Sequence, residues 1–162
     1  MHDAVRRSCA KIEETLAKSP AFQRIEKQFY VVRQGSAYVY ILVSEWGDRA
    51  LVRFVAQLAR GVDMTPDLAM KLLRLNARMR FGAFGFVKDD SCVTFSHTLL
   101  GGGTLDPDEI LATLRDVALV ADEYDDRVIE EAGGQTMQQL LEESAMGSLK
   151  EHLEHRGGWG EA

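Results

Sequence analysis

The stretch Gly101-Gly102-Gly103-Thr104-Leu105-Asp106-Pro107-Asp108-Glu109-Ile110 runs three glycines into a helix start. Phosphate-binding loops are built this way, because unpaired backbone N–H groups at a helix N-terminus attract anions. Here Asp106, Asp108 and Glu109 occupy the place a phosphate would take and already complement the positive end of the helix dipole. Neither a Gly-Lys-Ser/Thr triplet nor a GxGxxG follows a strand. The stretch therefore predicts a flexible strand-to-helix connection, with Asp106 as the cap.

The other residues able to do chemistry are scattered. Gly82 and Gly85 form a GxxG, a spacing that clamps a nucleic-acid backbone when it joins two helices. Here it lies between phenylalanines in strand-like sequence, where glycine marks a bulge or the close approach of another backbone. His97 is a lone histidine on a predicted strand with no nucleophile motif to serve. His152 and His155 sit three apart and could share a helix face, but a metal site needs three or four ligands. Asp122, Glu123, Asp125 and Asp126 cluster on a predicted helix and read as a solvated face. Arg6-Arg7, and Arg74, Arg78 and Arg80, are the basic counterparts. The second group suits an acidic partner or the acidic helix of a second subunit. No catalytic, metal-binding or cofactor-binding set emerges.

The elements that carry these residues follow from hydrophobic period. Val5, Cys9, Ile12 and Leu16 form one narrow stripe, predicting a helix that lies on a surface and ends at Ser19-Pro20. From residue 24 the period becomes two. Strands are predicted over 24–33, 37–45 and 50–58, joined by Gln34-Gly35-Ser36 and Gly47-Asp48-Arg49. The middle strand is apolar on both faces, Tyr38, Tyr40 and Leu42 on one and Val39, Ile41 and Val43 on the other. Both faces are thus expected to be covered, one of them by a partner. Thr65-Pro66-Asp67 starts a helix carrying Leu68, Leu72, Leu75 and Met79. Strands 81–88 and 91–99 follow, then a helix from Pro107 to Ala132 stopped by Gly133-Gly134. Thr136 and Gln139 have capping-box spacing for a last amphipathic helix with Leu140, Leu141, Leu149 and Leu153. The expected domain is 1–134, with a helical and mobile tail over 135–162.

A formal net charge of -6 argues against a broad phosphate-binding surface. No apolar run reaches the about 18–20 residues of a membrane span. The N-terminus lacks the apolar core of a secretory signal. Two distant cysteines, Cys9 and Cys92, fit a reducing cytoplasm.

The order helix, three strands, helix, two strands, helix, with LLRLN before the Phe81–Phe86 strand and Asp-Pro-Asp-Glu before a long helix containing Tyr124-Asp125, resembles the YbjN-like family. That family shares its fold with type III secretion chaperones, and the resemblance covers about residues 1–132. It implies an α+β domain with a five-stranded antiparallel sheet, helices mainly on one face, and a homodimer. It supplies no catalytic residues. The expected function is non-enzymatic: a cytoplasmic chaperone-like regulator that holds a segment of a client protein. The candidate partner or dimer surface is Tyr38, Tyr40, Leu42, Trp46, Val5, Ile12, Leu16, Arg74 and Arg78. The candidate client-binding tail residues are Leu140, Leu141, Leu149 and Leu153. The alternatives are nucleic-acid binding through the Arg patch and GxxG, and a small-ligand site or enzyme near His97.

Overall fold

Alternating apolar side chains build one antiparallel sheet, and the helices that cover it arise from the 3.6-period stripes. The computed structural model describes residues 2–144. Its elements run α1 (Asp3–Leu16), β1 (Phe22–Glu26), β2 (Phe29–Gln34), β3 (Ala37–Trp46), β4 (Arg49–Ala59), α2 (Pro66–Arg78), β5 (Ala83–Val87), β6 (Cys92–Leu100) and α3 (Pro107–Ala132). The sheet order is β1-β2-β3-β4-β6-β5, every neighbour antiparallel.

The sheet has six strands, not five. The predicted strand 24–33 is two strands folded on each other, with Glu26 paired to Phe29 across Lys27 and Gln28. Gln28 takes φ 65°. That left-handed conformation usually draws glycine or asparagine, so the turn carries no sequence signal.

One face of the sheet is the core. Tyr30, Ile41 and Phe54 pair side by side and are 0 % exposed, as are Val39 and Phe95, with Val32 and Ala56 at 1 % in the same row. Helices α1 and α3 lie on this face. They bury Val5, Ile12 and Leu16 from α1, and Ile110, Leu114, Val117, Ala121 and Val128 from α3. Each large side chain so buried contributes about 1.5–3 kcal/mol of transfer free energy. The narrow stripe of α1 is thus core, and the predicted surface position of that helix is corrected.

The glycine run explains how α1 is seated. Gly101 N–H donates to the Ala50 carbonyl at 2.8 Å, and Gly102 N–H donates to Ser8 Oγ at 2.7 Å. Ser8 Oγ in turn donates to the Ala4 carbonyl at 2.7 Å. A Cβ on Gly101 would collide with the Ser8 hydroxyl and lie 3.0 Å from Ala50 Cβ. Two of the three glycine N–H groups are thus already bonded, and the connection is tightly packed at Gly101 rather than loose. Asp106 caps α3 as expected, its carboxylate accepting from Asp108 N–H at 2.7 Å.

Helix α2 starts at the Thr65 cap, whose hydroxyl accepts from Leu68 N–H at 3.1 Å. It packs on β5 and the C-terminal half of α3. Beyond α3, Gln135 exchanges two backbone hydrogen bonds of 2.9 Å with Arg60. Thr136 and Gln139 then form the reciprocal capping pair, at 2.9 and 3.1 Å, for a helical segment that includes 137–144.

Candidate binding surfaces

The face of the sheet opposite the core carries apolar side chains in register. Val31, Tyr40, Val55 and Ser96 form one row across β2, β3, β4 and β6. Phe29, Leu42, Arg53 and Thr98 form the next, and Leu51 pairs with Leu100 beyond it. Phe29 stacks on Tyr40 with ring centroids 5.7 Å apart. Leu42 is 41 % exposed and Leu100 49 %. Desolvation by this packing raises the Tyr40 phenol above its ordinary pKa, so the ring stays neutral. Tyr38 lies on the same face under the Arg33 guanidinium, 5.8 Å from the ring centroid. Trp46 ends β3, exposed beside the Gly47-Asp48 turn.

The structure therefore brings Tyr38, Tyr40, Leu42 and Trp46 to one face, and removes Val5, Ile12 and Leu16 from it. Those three are 0, 0 and 2 % exposed and cannot meet a partner in this fold. Phe29, Val55 and Leu100 belong to the face but were not singled out from sequence. Period-two alternation would have found Phe29 once the turn at Lys27-Gln28 was recognised, because the turn sets the pairing of Phe29 with Leu42.

The two edges of the sheet differ. On β5, the Asn76 side chain takes the place of a neighbouring strand. Its Oδ1 accepts from Phe84 N–H at 2.7 Å and its Nδ2 donates to the Phe84 carbonyl at 3.1 Å. This closes the point where a client strand would add. The other edge, β1, has five residues and a register irregularity between Arg24 and Glu26. Beside Asn76, Leu73 and Phe86 flank a shallow apolar hollow of about 220 Å³. Leu73 is 61 % exposed and Phe86 41 %; Met70 on α2 and Val87 on β5 are exposed as well.

Arg74 and Arg78 do not join the sheet face. They line a groove between α2 and α3. Leu140 is half-buried and Leu141 exposed on the segment after α3, while Leu149, Leu153, His152 and His155 lie outside the described residues.

The remaining chemical candidates have structural partners. His97 faces the core side, paired with Phe54 and packed on the Phe81 ring at 4.0 Å. Its Nδ1 accepts from Gly82 N–H at 3.2 Å, and desolvation lowers its pKa. Gly82 has φ +66°, and a Cβ there would lie 2.5 Å from Phe95 Cζ, so the first glycine of the GxxG is required by close packing. In the acidic cluster, Asp122 accepts from Ser36 Oγ at 2.7 Å, and burial raises the Asp125 pKa. Burial also pushes the Cys92 thiol up to about 11. Among the described residues no group of three or more His, Cys, Asp or Glu is arranged to hold a metal. No helix among them is long and apolar enough to cross a membrane.

Comparison with known proteins agrees with this architecture. The family model of the type III secretion (YopN, CesT) and YbjN peptide-binding chaperones, group 1, matches residues 3–140. No curated protein sequence matches the chain. Among solved structures, a chain of the ExsC–ExsE complex superposes with a TM-score of 0.58 at 15 % identity. That match covers 79 % of this chain and 97 % of the other, and it shows a shared fold. The chain belongs to the family of T3SS and YbjN peptide-binding chaperones.

Proposed function

We propose that this member of a peptide-binding chaperone family holds a segment of a client protein on the open face of its sheet, as a cytoplasmic homodimer and without catalysis. The observation that carries the reading is the in-register apolar surface of Phe29, Val31, Tyr40, Leu42, Val55 and Leu100, which the chain's own helices leave uncovered. Half-buried aromatic and aliphatic side chains in one row, with Leu42 and Leu100 open to water beside them, suit contact with another polypeptide. A segment laid across β2, β3, β4 and β6 would gain affinity from Tyr40 and Phe29 as rigid aromatic anchors. Strand addition is the weaker mode, because Asn76 occupies the β5 edge and β1 is short.

For the homodimer, the exposed side chains of Leu73 and Phe86 beside the α2–β5 hollow support a separate contact on that side. Two substitutions separate the roles. Leu42→Glu is expected to abolish capture of co-purifying clients from the native cytoplasm, leaving a dimer by light scattering. Leu73→Glu is expected to give a monomer that retains the clients at reduced avidity. Full client recovery by the Leu42→Glu protein would reject the sheet face. A monomeric wild type across a wide concentration range would reject the dimer.

A further inference from the structure

We infer that the groove between α2 and α3 is a second docking site, built for an amphipathic helix with acidic side chains flanking an apolar stripe. The groove encloses about 360 Å³. Its floor is Leu68, Leu72, Leu75, Tyr124 and Val128. Its rim carries Lys71, Arg74, Arg78 and Arg127, against one carboxylate, Glu131. Lys71 and Glu131 bond each other at 2.8 Å. Arg74, Arg78 and Arg127 enter no ion pair among the described residues. Arg127 lies over the Tyr124 ring, 5.1 Å from the centroid, which positions the guanidinium and leaves its N–H donors available. Three uncommitted cations thus surround an apolar floor on a chain whose net charge is -6.

That combination selects the occupant. Apolar side chains would fill the floor while carboxylates on both flanks meet the three arginines. The occupant must be helical rather than extended. No sheet edge borders the groove, so an extended backbone would leave its N–H and C=O groups unpaired over leucines, whereas a helix satisfies its own. Two parallel ridges from α2 and α3 also offer the surface onto which a third helix packs. A nucleic acid would match the arginines but not the floor. A second copy docked through the same face would set Arg74, Arg78 and Arg127 against their own counterparts across a two-fold axis. The site is distinct from the sheet face, so its failure leaves the proposal above standing.

The test is a selection from a displayed library of 16-residue peptides on the full chain. The library is first depleted on the triple variant Arg74→Glu/Arg78→Glu/Arg127→Glu. All three side chains are exposed, so the variant is expected to keep the wild-type circular dichroism. Peptides that survive are expected to show leucine-like residues at i, i+3 or i+4, and i+7, with Asp or Glu on either side. By fluorescence anisotropy the best of them should bind the triple variant at least tenfold more weakly than wild type. Binding should weaken as NaCl rises from about 50 to 500 mM, and Leu42→Glu should leave it unchanged. No surviving peptide, or survivors without acidic residues, would overturn the inference. So would binding lost only in Leu42→Glu. Retention of a 20-nucleotide single-stranded DNA by wild type and not by the triple variant would instead assign the groove to nucleic acid. A triple variant that changes oligomeric state by light scattering would assign it to self-association.

Discussion

The two faces of the sheet have similar composition and different fates. Val39, Ile41 and Val43 alternate along β3 with Tyr38, Tyr40 and Leu42. The first set is covered by α1 and α3 and is at most 4 % exposed, whereas Leu42 on the second is 41 % exposed. Hydrophobicity of the strand does not distinguish them. What distinguishes them is the supply of helices, since α1 and α3 both land on one side and α2 goes to the β5 end. A chain that spends its helices on one face leaves the other for a partner.

The largest expected effect sharpens that contrast. Phe54 is fully buried on the covered face, and Phe54→Ala should cost about 3–5 kcal/mol of unfolding free energy. Leu42→Ala on the open face should cost less than about 1 kcal/mol, because the side chain already meets water. Urea denaturation of both variants measures the pair. Comparable losses would show that the open face is covered in solution and that the distinction between the faces fails.

A smaller effect tests how the covering helix is held. Gly101→Ala places a methyl against the Ser8 hydroxyl and Ala50, and should destabilise by about 1–3 kcal/mol through overpacking. Made in a Ser8→Ala protein, where the colliding oxygen is gone, the same Gly101→Ala change should add a smaller loss to the one that protein already carries from the unpaired Gly102 N–H. If both proteins lose equally, the glycine run does not seat α1, and the pairing of loop and helix is wrong.

These particulars show where the fold was legible. Caps were legible, because Thr65, Asp106 and Thr136 act within a few residues of themselves. The period of α1 was also legible, but its destination was not. Whether Val5, Ile12 and Leu16 face solvent depends on Ser8 meeting Gly102, 94 residues away. The β1–β2 turn was missed because Gln28 adopts a glycine-like conformation without being glycine. The open face was half legible: Tyr40 and Leu42 stood out on an apolar strand, but nothing local separates them from Ile41. Likewise Arg74 and Arg78 were visible as a stripe, while Arg127 sits among carboxylates and joins them only through the packing of α3 on α2.

The smallest effect concerns the one histidine on the covered face. Desolvation lowers the His97 pKa below its ordinary 6.5, with the Glu109 carboxylate opposing weakly. The unfolded chain therefore takes up this proton at a higher pH than the folded chain. The neutral ring's contribution to stability is complete above about pH 6.5. It declines as pH falls through that value towards the folded pKa, and is constant below it. His97→Asn keeps an acceptor for Gly82 N–H and removes the titration. The difference in unfolding free energy between wild type and variant should be flat above about pH 7 and should shift against the wild type as pH falls below 6.5. Asp125 has the opposite sign: burial raises its pKa above 3.8, so its contribution is complete below that value and lost as pH rises through the folded pKa. It is common to both proteins and cancels in the difference. A difference independent of pH between 5 and 7.5 would mean that His97 meets water as freely as the side chains of the open face, and the covered face would then end at Phe54.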